Sequence, residues 1–306
     1  MKILLIVILI LLAIDLFIVH KCLQLIMKPY RYTKEGMRQK EIDNGFEDCV
    51  IAYEQEWERR PFTLECDKAV LSGEFIDNPD AKEDKVAIVA HGHTANRYAS
   101  LKYAKIFYDE GYNVVLYDER HFGESSGDVS TLGMKEREDL LKVIGLVKER
   151  YGQDCHIALH GESMGAATVL LVLRDIDVDL VVADCPFSDS VRLFREYIVN
   201  NLHIPPVTVM TLLIPVAKYI HGYLIEDTAP IKAVESSDVP ICFMHGTADK
   251  LIDCDHSKQM IKVAKNPLSR LHLFEGSDHA MSIVNDRSRY EKLMKEFINE
   301  VNKEAV

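Results

Sequence analysis

The chain contains neither a Gly-x-x-x-x-Gly-Lys loop nor a Gly-x-Gly-x-x-Gly turn, the glycine patterns that most often cradle nucleotide phosphates. A nucleotide is therefore not expected, and no other cofactor or resident metal is called for. Cys-x-x-Cys pairs are missing as well. The seven cysteines (Cys22, Cys49, Cys66, Cys155, Cys185, Cys242 and Cys254) are odd in number, scattered, and in several cases set inside apolar runs. That excludes a disulfide scaffold, fits buried free thiols, and favours a reducing compartment. Glycine and proline are sparse, at 15 and 10 of 306 residues, so collagen-like and low-complexity classes are out. Basic residues are in deficit: 36 against 48 acidic ones leave a net charge of -12 with no offsetting basic patch, so nucleic acid is not an expected partner.

What the chain does have begins with a long hydrophobic run. Ile3 to Val19 is apolar except for Asp15, and apolar character resumes at Cys22, Leu23, Leu25, Ile26 and Met27. Seventeen helical residues reach about 25 Å, a little short of a hydrocarbon core of about 30 Å, but flanking lysines can snorkel and the second stretch extends the helix. Small residues of the Ala-x-Ala kind are missing near its end, and His20 and Lys21 are wrong for a lipoprotein site before Cys22. Residues 1–28 therefore read as an uncleaved membrane anchor, in preference to a cleaved signal or a buried helix. Lys21, Lys28, Arg31, Lys34, Arg38 and Lys40 follow it, which by the positive-inside rule puts the rest of the chain in the cytoplasm. Residues 29–61 read as a connecting helical segment, and 62–306 as the main domain.

Two extended runs, Phe62 to Cys66 and Val70 to Ile76, precede a repeating pattern in which an apolar run ends in small or polar residues and a helical segment follows. The repeated runs are Val86–Ala90, Asn113–Tyr117, His156–Leu159, Leu180–Ala183, Ile241–Met244 and Leu271–Phe274. Strands without polar alternation are covered on both faces, and strands alternating with helices form a mostly parallel α/β sheet. Ligands bind at the carboxyl ends of such strands. One stretch breaks the rhythm: about 187–237 is apolar and proline-bearing with no clear strand, and is expected to form a helical lid over the strand ends, or else ordinary core helices.

The strongest chemical signal is Gly161-Glu162-Ser163-Met164-Gly165, directly after one predicted strand and before a run of helix formers. A sharp strand-to-helix turn exposes the serine in a strained position, and glycines two residues either side avoid collision with backbone. The start of the helix aims the Met164 amide at the site, where it can hold an oxyanion. A serine needs an imidazole to take its proton and an acid to orient that imidazole, in the chain order Ser, acid, His. His245-Gly246-Thr247-Ala248-Asp249 and Gly276-Ser277-Asp278-His279 each follow a predicted strand, which makes Asp249 the expected acid and His279 the expected base. Asp184 is the alternative acid. His91-Gly92-His93 follows another strand; the His93 amide is the expected second oxyanion donor, while a zinc site built on His91 and His93 lacks a third ligand at a usual spacing. His156, His160, His203, His221, His256 and His272 read as surface or core residues.

With these motifs the chain resembles the α/β-hydrolase superfamily over most of residues 62–303. Asp118-Glu119-Arg120-His121-Phe122-Gly123-Glu124-Ser125 is similar to that family's structural Asp-x-Arg-Gly-x-Gly-x-Ser turn, with His121 where glycine is usual, and Ala166 stands where a further glycine often follows the serine turn. The anchored start and short lid are similar to bacterial serine hydrolases called serine aminopeptidase-like or monoacylglycerol-lipase-like. The resemblance implies an α/β-hydrolase fold and a small-molecule carboxylic ester as substrate, with an apolar acyl or aromatic acid. The competing expectations are a peptidase using the same three residues and a non-catalytic module that binds a hydrophobic ligand or a partner protein.

Overall fold

The computed structural model describes residues 2–81, 84–202, 205–222 and 225–304; His203 and Ile204, in the expected lid, lie outside the described residues. All eight apolar runs become strands: β1 (Glu58–Cys66), β2 (Ala69–Asp77), β3 (Lys85–Ala90), β4 (Asn113–Tyr117), β5 (His156–Glu162), β6 (Leu180–Asp184), β7 (Ile241–Gly246) and β8 (Arg270–Phe274). They form one sheet in the order β1-β2-β4-β3-β5-β6-β7-β8, in which only β2 runs against its neighbours. Twelve helices follow in chain order among the described residues: α1 (Lys2–Met27), α2 (Lys34–Asp43), α3 (Glu47–Ile51), α4 (Leu101–Asp109), α5 (Met134–Tyr151), α6 (Met164–Leu171), α7 (Ser190–Tyr197), α8 (Pro206–His221), α9 (Pro230–Ser236), α10 (Asp255–Val263), α11 (Ser282–Asn285) and α12 (Arg287–Glu304).

Alternate side chains of each strand point to opposite faces of the sheet. On β3, Ala87 and Val89 join a layer with Tyr103 of α4 and Tyr290 and Phe297 of α12, whereas Val86, Ile88 and Ala90 join Leu140 of α5, Val169 of α6 and Met260 of α10. With both faces covered, the inner strands are apolar throughout, as the uninterrupted runs require.

Residues 29–61 are more than a connection. Met37 of α2, Phe46, Cys49 and Val50 of α3, Tyr53 and Trp57 are all buried in the first layer, and Trp57 stacks on Tyr108 with centroids 4.7 Å apart. The first strand also starts earlier than expected, at Glu58 in place of Phe62.

The expected lid divides in two. Phe194 of α7 and Val209 and Leu213 of α8 cluster above the strand ends, whereas Ala233 and Val234 of α9 belong to the core beside α6. So the covering part is 190–221, and the remainder is an ordinary sheet-flanking helix. α1 is long and apolar enough to cross a membrane. It is exposed as far as Phe17, after which Val19, Cys22, Leu23 and Met27 are buried against the covering helices.

The turn after β4 is held by Asp118, which accepts from the Arg97 amide (2.7 Å), the Arg97 guanidinium (2.7 Å) and the Glu124 amide (2.9 Å). Gly123 has φ 52°, and a Cβ there would lie within 2.2 Å of the Asp118 carboxyl carbon, so glycine is required. His121, at φ 73°, accepts the left-handed backbone that a glycine would take without strain.

Candidate active site

Ser163 lies between β5 and α6 with φ 55° and ψ -112°. Few non-glycine residues adopt this backbone, and its flanking glycines explain how it is reached. A Cβ on Gly161 would lie 2.2 Å from the Gly165 carbonyl oxygen, and one on Gly165 would lie 2.4 Å from the Ala90 oxygen and 2.6 Å from that of His91. The turn thus closes against itself and against the end of β3. The Ser163 amide donates to the Asp184 carbonyl at 2.8 Å, which ties it to β6.

Three expected residues, far apart in sequence, meet at this rim. Ser163 Oγ is 2.9 Å from His279 Nε2, and His279 Nδ1 is 2.7 Å from Asp249 Oδ2. With Asp249 ionised, Nδ1 carries the hydrogen and Nε2 faces the hydroxyl as an acceptor. The loops holding Asp249 and His279 are fastened together: the Ala248 amide donates to the Ser277 carbonyl at 3.0 Å, and a Cβ on Gly246 would lie 2.2 Å from that same oxygen.

The charges are arranged to match. Burial opposes ionisation of Asp249, but hydrogen bonds from His245 and His279 and the Ile252 amide hold its carboxyl well below the usual range. Burial likewise opposes protonation of His279; the hydrogen bond and charge of Asp249, with the charges of Glu162 and Asp184, outweigh it and raise the pKa. Asp184, the alternative acid, makes no hydrogen bond to His279. It accepts from Tyr103 Oη at 3.1 Å, and burial together with the charge of Glu162 pushes its pKa up to about 7.

Two expected oxyanion donors flank the serine. Met164 opens α6, so its amide has no acceptor within the helix. His93 lines the same cavity as Ser163, and Gly92 lets the loop pass close, a Cβ there lying 3.6 Å from the Ser163 Cβ. Zinc on His91 and His93 is not supported: His91 accepts from the Glu119 amide (2.9 Å) and donates to the Gly92 carbonyl (2.8 Å), and His93 Nε2 donates to the Ile26 carbonyl (2.9 Å). Donor atoms of Cys185, Asp249 and His279 do lie within 4.8 Å of one another, but an ion there would displace the Asp249–His279 hydrogen bond.

The serine opens onto two spaces of different character. An apolar cavity of about 200 Å3 is lined by Leu25, Ile26, Leu132, Met164, Phe194 and Leu213, among others. Across Ser163 and His279 lies a more polar compartment of about 270 Å3, bordered by Glu41, Asn44, Lys102 and Glu162. Lys102 bridges Glu41 (3.3 Å) and Glu162 (3.4 Å), and Tyr103 Oη donates to Glu162 at 2.7 Å. Sequence reasoning missed both the Glu41–Lys102–Glu162 bridge and the contribution of α1. It also passed over His245, although that residue begins the motif that carries Asp249: its ring donates to the Ile252 carbonyl at 2.9 Å and lies 3.3 Å from Asp249.

Comparison with known proteins agrees with this architecture. A family model described as serine aminopeptidase, S33, matches residues 81–193, and one described as the dienelactone hydrolase family matches 215–304. The uncharacterized protein YqkD of Bacillus subtilis is 31% identical over 279 residues, covering 88% of each chain. An uncharacterized membrane protein of Saccharomyces cerevisiae, YNL320W, is 25% identical over 199 residues, covering 64% of each. The Pyrococcus furiosus esterase Pf2001 superposes with a TM-score of 0.65 at 23% identity, over 81% of this chain and 95% of its own. From the sheet, the serine turn and these similarities together, the chain belongs to the α/β-hydrolase superfamily.

Proposed function

We propose that the protein is a serine hydrolase that cleaves carboxylic esters with an apolar acyl group, and that Ser163, His279 and Asp249 carry the reaction. Ser163 Oγ gives its proton to His279 Nε2 as it bonds to the acyl carbon, and the carbonyl electron pair moves onto oxygen. The amides of Met164 and His93 receive that oxyanion. Collapse breaks the bond to the alcohol oxygen, which takes the proton from His279 and leaves acyl-Ser163. Water then attacks the acyl carbon while its proton passes to His279, and the acid departs with the serine restored. Asp249 keeps the imidazole in the useful tautomer and steadies its positive charge.

The single observation that carries this reading is the unbroken 2.9 Å and 2.7 Å path from a strained serine to a carboxylate, beside an apolar cavity. The esterase description of Pf2001 is in line with it. Aminopeptidase action would need a free carboxylate to read a peptide ammonium; Glu41 and Glu162, which border the site, are already engaged by Lys102. We place the protein at the membrane through α1 with the hydrolase domain in the cytoplasm, supported by the basic residues that follow the helix and by seven free cysteines. The full-length protein should hydrolyse p-nitrophenyl esters, and Ser163→Ala should lower kcat by about 10^5- to 10^6-fold. Equal rates from the two proteins would refute the assignment.

A further inference from the structure

α1 has two environments along one helix. From Ile3 to Phe17 its apolar side chains are exposed, while Val19, Cys22, Leu23 and Met27 are 0–6% exposed beneath the covering helices. Cys22, Leu25 and Ile26 then form part of the wall of the apolar cavity that reaches Ser163. The end of the helix is fixed to the site: the Ile26 carbonyl accepts from the His93 ring at 2.9 Å, and the Met27 carbonyl accepts from the Ser130 amide at 3.0 Å. The putatively inert anchor is thus one side of the substrate cavity.

Leu25 belongs to both environments, lining the cavity while remaining 57% exposed. The cavity therefore opens on the flank of α1. Eight residues separate Leu25 from Phe17, about 12 Å along the axis at 1.5 Å per residue, so the opening lies close to the end of the exposed apolar run. Val207 and Tyr219 of α8, which packs along α1, are also exposed, at 72% and 80%. Opposite the cavity, across Ser163, the polar compartment with Glu41, Asn44 and Lys102 offers room for a group that stays hydrated.

Resting on the ester-hydrolase reading above, we propose that the substrate is a long-chain acyl ester resident in the bilayer, whose chain slides sideways along α1 past Leu25 into the cavity while its polar alcohol remains in the compartment bordered by Glu41. Such a path spares the chain any exposure to water on its way from lipid to Ser163. Leu25 and Ile26 then set how long a chain is accepted.

The test uses the full-length protein in phosphatidylcholine vesicles and compares a vesicle-borne 4-methylumbelliferyl oleate with water-soluble 4-methylumbelliferyl butyrate. Wild type should cleave both. Leu25→Trp, which narrows the opening yet suits a membrane interface, should lower the oleate-to-butyrate ratio of kcat/KM at least tenfold, and Leu25→Ala should hold or raise that ratio. The same oleate ester presented in detergent micelles should be cleaved more slowly than in vesicles. If wild type cleaves butyrate but not vesicle-borne oleate, or if Leu25→Trp lowers both substrates equally, this inference fails while the hydrolase reading stands. If neither ester is cleaved, the hydrolase reading itself fails.

Discussion

At Ser163 the backbone stores strain of about 1–3 kcal/mol, characteristic of a non-glycine residue at positive φ, and hydrogen bonds to Asp184 and Ala167 hold it there. The return is a hydroxyl at the sheet rim, 2.9 Å from an imidazole. His279 must be neutral to accept the proton. Burial alone would lower its pKa, but Asp249 raises it above the ordinary 6.5. Below that raised value the imidazole is protonated and cannot act as base, so the rate of ester cleavage should climb with pH through a midpoint above 6.5. Asp249→Asn removes the largest favourable influence on the imidazolium. Its acid limb should shift to lower pH, and kcat should fall by about 10^4-fold through loss of the tautomer; stopped-flow or steady-state pH profiles of the two proteins would read both effects. An unmoved limb would mean that Asp249 does not set the charge on His279.

Elements meet at this rim through close backbone approaches, and these set the tolerance to substitution. Gly165→Ala would drive a methyl to within 2.4 Å of the Ala90 carbonyl oxygen, pushing α6 away from β3. Thermal or urea unfolding should show destabilisation of at least about 2 kcal/mol, the upper part of the range for overpacked sites, whereas a tolerated methyl would mean that the turn is looser than its geometry implies. The strands were legible because runs such as Val86–Ala90 and Ile241–Met244 have no polar alternation, and the serine turn because its two glycines serve contacts that any such turn must make. Asp249 and His279 followed from the strands before them. The far end of α1 and the packing of α2 and α3 were not legible, since leucine and isoleucine read alike whether they face lipid or protein. Nor was the Glu41–Lys102–Glu162 bridge: its members are about sixty residues apart and adjoin only once the sheet is assembled. The lid reading was half successful for a related reason, as α9 has the apolar composition of a covering helix but packs beside α6.

For the molecule as a whole, the two ends of the argument are a membrane helix and a rim of the sheet, and α1 contributes to both. The net charge of -12 sits on a chain whose basic residues gather just after the helix, the distribution expected if the domain stays on the cytoplasmic side. A tag fused after Val306 should resist protease added to intact cells and be degraded once the membrane is opened; degradation in intact cells would reverse the orientation. The central claim, that Ser163 is the activated nucleophile, is tested most directly by treating the full-length protein with a fluorophosphonate and mapping the adduct by mass spectrometry. The account predicts one covalent phosphonyl group per chain, on the peptide containing Ser163, formed in step with loss of esterase activity and prevented by His279→Ala. Modification at a different residue, or full labelling that leaves the activity intact, would contradict it.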